Sequence, residues 1–250
     1  MTGKIKYSSV IRMSDKQYPK FWAVVPAAGA GKRMGSELPK QYLPLGDRTV
    51  LEQTLDTLLD CPRLSGLVLA LSPDDEHWST IESRYATAPL QRVDGGAERC
   101  HSVLNSLDLL ATQTDARDWV LVHDAARPCV RIEDIEHLIT TLETGEEGGL
   151  LGVPVADTMK RVDDQQAITA TVDRDGLWHA YTPQMFRLGQ LRSALSEAIE
   201  AGNTVTDEAN AMELAGFKPR MVQGSRDNIK ITLPADLALA AFYLQIRSTP

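Results

Sequence analysis

A loop rich in glycine and alanine follows the first apolar run of the chain and could bind phosphate. The run is Phe21–Val25, and residues 26–35 after it read PAAGAGKRMG. Small residues let the backbone approach a ligand and present successive N–H groups to phosphate oxygens. Lys32, Arg33 and Lys40 bring positive charge to the same place. The sequence therefore predicts a loop that binds a nucleoside triphosphate.

This loop departs from the two common glycine-rich phosphate motifs. A P-loop requires a glycine where the chain has Pro26, and a serine or threonine where it has Arg33. A dinucleotide fingerprint that starts at Gly29 requires a glycine or alanine where Met34 stands. A Walker-type ATPase and a Rossmann dehydrogenase are therefore disfavoured. A simple strand-to-helix turn with solvated basic residues stays open as the alternative.

A second loop, Asp94–Ser102, places two glycines before a predicted helix and a hydroxyl one turn inside it. Gly96 removes side-chain bulk, and Ser102 could hydrogen-bond the edge of a nucleobase. The alternative is an ordinary helix entry, with Glu98 placed favourably near the positive end of the helix dipole.

A third loop, Asp124–Pro128, places an acid and a base directly after a buried strand. Asp124 could accept a hydrogen bond from a ribose hydroxyl or lie near a hydrated magnesium ion, and Arg127 could clamp a phosphate. The alternative is an Asp124–Arg127 pair that only stabilises the loop. We expect the neighbouring His123 to be structural rather than catalytic.

These loops are positioned by an alternation of apolar runs and segments of helical period. The predicted strands are Phe21–Val25, Leu67–Leu71, Gln91–Val93, Trp119–His123, Gly149–Val155, Pro219–Val222 and Asn228–Thr232. The predicted helices begin with a capping box at Thr49 and continue with Glu76–Tyr85, Glu98–Leu110, Glu133–Glu143, Phe186–Ala201, Thr206–Ala215 and a last one from Pro234. This order predicts an α/β fold with a doubly wound, mainly parallel sheet. Ligands bind at the carboxyl ends of such strands, which is where the three loops lie.

The alternation breaks between residues 156 and 178, where threonines and valines mix with polar residues. This composition predicts a β-hairpin arm of the kind that reaches a partner. Residues 1–20 carry a net charge of +4 and no apolar stretch, and we expect them to be a flexible extension. Residues 21–250 are then a single domain.

Composition limits the possible functions. The chain has 250 residues and a net charge of −8, so no overall basic field attracts nucleic acid. No apolar run is long enough to span a membrane. Three widely spaced cysteines, Cys61, Cys100 and Cys129, indicate a reducing cytoplasm rather than disulfide or zinc frameworks.

Seven ordered motifs closely resemble the 2-C-methyl-D-erythritol 4-phosphate cytidylyltransferase family. They are PAAGAGKRMGSELPKQYL from Pro26, DGGAERCHSV from Asp94, VHDAARP from Val122, DTMKR from Asp157, TVDRDGLWHAYTPQMF from Thr171, TDEA from Thr206 and DNIKIT from Asp227. The resemblance covers nearly the whole chain and implies a nucleotide-diphospho-sugar transferase-like, Rossmann-type fold. Cys100-His101 inside the second loop is the clearest local departure.

The resemblance implies transfer of a cytidylyl group from CTP to methylerythritol phosphate, with release of pyrophosphate. The implied CTP-binding residues are Ala27, Ala28, Gly29, Gly96, Ala97, Ser102 and Asp124. The implied catalytic residues are Arg33, Lys40, Arg174 and Lys230, and the implied acceptor-binding residues are Arg127, Thr158, Arg174, Thr182, Thr206 and Lys230.

The resemblance also implies a divalent cation, Mg²⁺ or another, held by CTP phosphates and water rather than by a dedicated protein site. It implies a homodimer in which the 156–178 arm completes the neighbour's site. Two alternatives remain open: a cytidylyltransferase that uses another polyol phosphate, such as ribitol phosphate, and a nucleotide-binding regulatory protein without catalysis.

Overall fold

A seven-stranded sheet forms the centre of the molecule in the computed structural model, which describes residues 18–29 and 38–247. The strands of the chain are β1 (Phe21–Pro26), β2 (Pro44–Leu45), β3 (Arg48–Thr49), β4 (Leu64–Leu71), β5 (Leu90–Asp94), β6 (Trp119–Val122), β7 (Gly149–Pro154), β8 (Met159–Val162), β9 (Ile168–Val172), β10 (Trp178–Arg187) and β11 (Arg220–Gln223). Within the sheet their order is β11-β7-β10-β6-β1-β4-β5. Within this sheet only β10 runs antiparallel to its neighbours, β6 and β7, so the sheet is mainly parallel, as predicted.

Helices cover both faces of this sheet, which confirms the doubly wound class. They are α1 (Val50–Leu59), α2 (Arg99–Ala111), α3 (Ile132–Leu142), α4 (Leu188–Glu200), α5 (Glu208–Leu214) and α6 (Pro234–Arg247). Alternate residues of β1 divide between the two cores. Ala23 and Val25 pack in the core with α1 and α3, whereas Val24 packs in the core with α2 and α4. The strand is apolar throughout because its central residues, Ala23, Val24 and Val25, are buried between these two cores.

The prediction of a helix at residues 76–85 is wrong. That segment instead forms two short 3₁₀ turns, Trp78–Thr80 and Glu82–Tyr85. Hydroxyls of Ser79 and Thr80 donate to backbone oxygens three residues earlier, which competes with regular helical bonding.

Two further boundaries differ from the sequence prediction. The helix expected from Phe186 begins at Leu188, because Phe186 is the penultimate residue of β10 and pairs with Val120 of β6. Residues 228–232 form no strand; Arg127 donates to the Asn228 oxygen, and the Ile231 N–H donates to Ala126, so local contacts take the place of a ladder.

The predicted arm is present as a hairpin in which β8 pairs antiparallel with β9. Both strands are largely exposed and leave apolar side chains in solvent, among them Val162 and Ile168 at 50% and 65% exposure. The capping box at Thr49 is also confirmed, since its hydroxyl accepts from the Glu52 N–H and its own N–H donates to the Glu52 carboxylate. No helix in the described part of the chain is long and apolar enough to cross a membrane.

Candidate active site

The three predicted loops surround one cavity of about 190 Å³ at the carboxyl ends of β1, β5 and β6. The order of strands reverses here, because β1 lies between β6 and β4. Predicted site residues that line the cavity are Ala27, Ala28, Gly29, Lys40, Gly96, Ala97, Ser102, Asp124 and Lys230. All seven residues predicted to bind the nucleotide therefore converge on one space.

Glycine allows the first and second loops to approach each other closely. A Cβ at Gly95 would lie 2.4 Å from the Cβ of Ala28, a distance that no side chain tolerates. The Gly96 N–H donates to the Ser102 hydroxyl at 3.1 Å, and the Gln41 amide donates to the Ala27 oxygen at 2.9 Å. These contacts fix a backbone surface with little side-chain bulk.

Asp124 is the charge centre of the cavity and is surrounded by cations. Its carboxylate accepts from Arg99 Nε at 2.9 Å and from Lys230 Nζ at 2.7 Å, and Arg127 Nε lies 3.8 Å away. Burial alone would raise the pKa of Asp124, but the positive charges of Arg99 and Lys230 outweigh it and hold the pKa well below its usual range. The carboxylate is therefore ionised at neutral pH.

Arg99 links Asp124 to a second buried acid that the sequence reasoning missed. The guanidinium of Arg99 donates to both carboxylate oxygens of Glu208, at 2.6 and 3.1 Å. The side chain of Glu208 is only 1% exposed. Arg99 and Glu208 are 109 residues apart and lie in two different motifs, DGGAERCHSV and TDEA. Their opposite charges were the one signal of a contact, and each motif was interpreted separately.

His123 is structural, as expected, and hydrogen-bonds Thr182, which in turn contacts Asp124. Its Nε2 lies 3.1 Å from the Arg127 oxygen, which can only accept, so Nε2 carries the proton. Nδ1 therefore accepts from the Thr182 hydroxyl at 3.0 Å, and that hydroxyl accepts from the Asp124 N–H at 3.1 Å. Burial lowers the pKa of His123 to about 4.

Arg127 is buried beside the cavity rather than in its lining. It donates to the Asn228 oxygen at 2.8 Å, and its guanidinium lies 4.7 Å from the centre of the Tyr181 ring. With Asp124 nearby, these contacts match the alternative in which an acid–base pair stabilises the loop. Contact of Arg127 with an acceptor phosphate stays a prediction.

The comparison with known proteins decides the family. The sequence profile described as IspD: 2-C-methyl-D-erythritol 4-phosphate cytidylyltransferase matches residues 21–246. The chain belongs to this family.

Individual members of the cytidylyltransferase family are similar over nearly their whole length. The protein of that name from Hahella chejuensis is 54% identical over 226 residues, which cover 90% of this chain and 93% of that protein. The one from Pseudomonas aeruginosa PAO1 is 51% identical, covering 90% and 96%. The crystal structure of the Francisella tularensis enzyme superposes with a TM-score of 0.77 at 34% identity, covering 90% and 99%.

Two cations, Lys40 and Arg33, are assigned to the triphosphate by resemblance to the cytidylyltransferase family. The structure describes the position of Lys40 but not that of Arg33. Lys40 lines the cavity, and its Nζ lies 3.5 Å from the Ile231 oxygen. The first loop is described only as far as Gly29, so Arg33 lies outside the described residues.

Five residues assigned to the acceptor lie outside the cavity lining, among them Arg127, described above. Thr182 is buried in the hydrogen-bonded chain described above. Thr158, Arg174 and Thr206 are exposed, and Arg174 donates to the Ala156 oxygen within the same arm. The structure therefore joins the predicted nucleotide-binding residues around one cavity, with Thr182 in contact with Asp124, whereas Thr158, Arg174 and Thr206 lie on the exposed surface outside it.

The buried carboxylate of the cavity is already engaged by cations of the protein. Magnesium prefers oxygen ligands in octahedral geometry, and Asp124 is the buried carboxylate among the residues that line the cavity. Two short contacts to Arg99 and Lys230 already neutralise that carboxylate.

Proposed function

We propose that the chain transfers a cytidylyl group from CTP to 2-C-methyl-D-erythritol 4-phosphate in this cavity, releasing pyrophosphate, as a step of isoprenoid precursor synthesis. Family membership supports the reaction. The observation that carries the location is the convergence of the three loops on one space that Lys40 and Lys230 also line.

The nucleotide half of the site follows from the geometry of the loops. Gly96 and Ser102 lie where a base edge can meet a hydroxyl and backbone groups, and residues 27–29 expose backbone for the phosphates. The Asp124 carboxylate accepts two short contacts and keeps lone pairs for a ribose hydroxyl.

The acceptor phosphate attacks the α-phosphate of CTP in line, and no general base is needed. A phosphate monoester is largely dianionic at neutral pH, since its second pKa is about 6. The obstacle is the approach of two anions, and Lys40 and Lys230 stabilise the charge that develops. Arg33 and Arg174 are assigned to the same task by resemblance alone.

We infer that Mg²⁺ arrives bound to the triphosphate. Such an ion would neutralise the charge of the leaving pyrophosphate. The charge of Asp124 is already compensated by Arg99 and Lys230, so the protein's part is to orient the phosphates through residues 27–29 and Lys40.

We infer further that two chains pair through the 156–178 arm. Apolar Met159, Val162 and Ile168 are exposed on the hairpin, and burying them in an interface would be favourable. Arg174 and Thr158 lie on the same arm and outside their own cavity, so a second copy could receive them. A cytoplasmic location is supported by the three cysteines, all free and buried.

Magnesium-dependent release of pyrophosphate from CTP tests the proposal, with methylerythritol phosphate and ribitol phosphate offered separately. We expect release with methylerythritol phosphate. Release mainly with ribitol phosphate would keep the mechanism and change the substrate, whereas CTP binding without release for either acceptor would favour a regulatory protein.

A further inference from the structure

Three side chains of different chemistry converge at the rim of the cavity, where α2 begins. They are the carboxylate of Glu98, the thiol of Cys100 and the imidazole of His101, and one ligand atom from each lies within 4.8 Å of the others. Cys100 Sγ is 3.8 Å from Glu98 Oε2 and 3.7 Å from His101 Nδ1. In the described part of the chain no other group of three such residues is as close.

These separations match the edges of a tetrahedral metal site. Zinc lies about 2.3 Å from sulfur and about 2.1 Å from nitrogen or oxygen, so its tetrahedral ligands are about 3.6 Å apart. The two measured distances from the thiol exceed this by only a few tenths of an ångström. Small rotations of the half-exposed His101 and the exposed Glu98 would close the difference.

The side chain of Glu98 is not held by a capping hydrogen bond. It occupies the N-cap of α2, yet its side chain makes no capping hydrogen bond. A residue at this position usually accepts from an N–H group of the first turn. Here the carboxylate oxygen nearest to Cys100 is directed toward the thiol instead.

The donor set selects the class of ion. Thiolate and imidazole are ligands of zinc and its neighbours in the transition series, whereas magnesium takes oxygen ligands. Binding would form a metal–sulfur bond and release the thiol proton to solvent. Two anionic ligands and one neutral imidazole then balance a divalent charge.

We propose that Glu98, Cys100 and His101 bind a zinc-class divalent transition metal, with water in the fourth position. This site is separate from the magnesium that the reaction requires. The wide spacing of the cysteines did not predict this site, because Glu98, Cys100 and His101 are nearly adjacent and combine three residue types. Its ligands also include Glu98, which lines the cavity, so an ion bound here would lie beside the second loop.

The test is direct metal binding to the full-length protein after treatment with a chelator. We expect one Zn²⁺ per chain, unaffected by a thousandfold excess of Mg²⁺. Co²⁺ should give the absorption of thiolate-to-cobalt charge transfer and of a tetrahedral site. Cys100→Ala should abolish the charge-transfer band and weaken Zn²⁺ binding at least about a hundredfold, since even outer-shell changes cost ten- to a hundredfold.

Matched variants separate this site from general thiol or imidazole binding. Cys61→Ala removes another buried free cysteine, and His179→Gln removes an exposed histidine away from the cluster, and neither should change Zn²⁺ affinity. His101→Gln should weaken Zn²⁺ binding as Cys100→Ala does. Because His101 is only half-buried, this variant also shows whether the loss in Cys100→Ala comes from misfolding at the buried Cys100. Substoichiometric binding by the wild-type protein, or unchanged binding in both cluster variants, would overturn the proposal and leave cytidylyl transfer untouched.

Discussion

Lys230 Nζ lies 2.7 Å from Asp124 Oδ2, across one side of the cavity's lining. Asp124 follows β6, whereas Lys230 lies in the irregular segment before α6. The contact joins the predicted nucleotide-binding acid to a predicted catalytic cation. It therefore joins the two halves of the proposed reaction.

Lys230→Ala is expected to lower turnover about a hundredfold, because it removes a preorganised charge and leaves Asp124 with less compensation. Steady-state pyrophosphate release measures this. Lys218→Ala, an exposed lysine outside the cavity, serves as the control and should have normal turnover. Equal rates in both variants would remove Lys230 from the mechanism.

Lys40→Ala is also expected to lower turnover by about a hundredfold or more, for the same electrostatic reason. Lys40 lines the cavity next to the first loop, so its loss acts on the triphosphate rather than on the Asp124 cluster. CTP binding by calorimetry, measured with the rate, separates binding from transition-state stabilisation. A wild-type rate would contradict the assigned role.

Glu208→Ala should destabilise the protein by about 3 kcal/mol, because it breaks a buried ion pair and leaves the charge of Arg99 only partly compensated, by Asp124. Urea denaturation measures the free energy of unfolding. Glu213→Ala changes an exposed glutamate of the same helix and should have little effect. We also expect a higher KM for CTP in Glu208→Ala, since Glu208 holds Arg99 and Arg99 positions Asp124. An unchanged KM would mean that Glu208 contributes to stability but not to CTP binding.

Stability should fall as pH decreases from 7 to 5, by about 2 kcal/mol from His123 alone. The pKa of His123 is about 4 when folded and near 6.5 when unfolded, so the unfolded chain binds more protons in this interval. Asp124 acts in the same direction only at lower pH, because its pKa is held below the normal value. Urea titrations at both pH values should show this loss, and His123→Gln should reduce the difference.

Ile168→Asp should convert a dimer into monomers, because it places a charge on the exposed apolar surface of the arm. Light scattering measures the mass, and turnover should fall with it. Gln165→Asp adds the same charge in the turn of the hairpin and should leave the dimer intact. A fully active Ile168→Asp monomer would exclude a shared site.

Local patterns predicted the features whose causes are local. The apolar run of β1 and the reciprocal bonds between Thr49 and Glu52 depend on residues close in sequence. The last residues of β10 were predicted as helix because their strand character comes from pairing with β6, some 60 positions earlier. The contact of Arg99 with Glu208 was missed for the same reason.

The cavity brings together residues from both ends of the chain. Ala27 lines it near the beginning, Lys230 lines it near the end, and Lys40 reaches the Ile231 oxygen across 191 positions. During translation, domains generally fold from the amino terminus as the chain emerges. A nascent chain could thus assemble β1 and α1 early, yet its pocket would lack Lys230 until synthesis has passed that residue, so a shorter polypeptide would be catalytically silent.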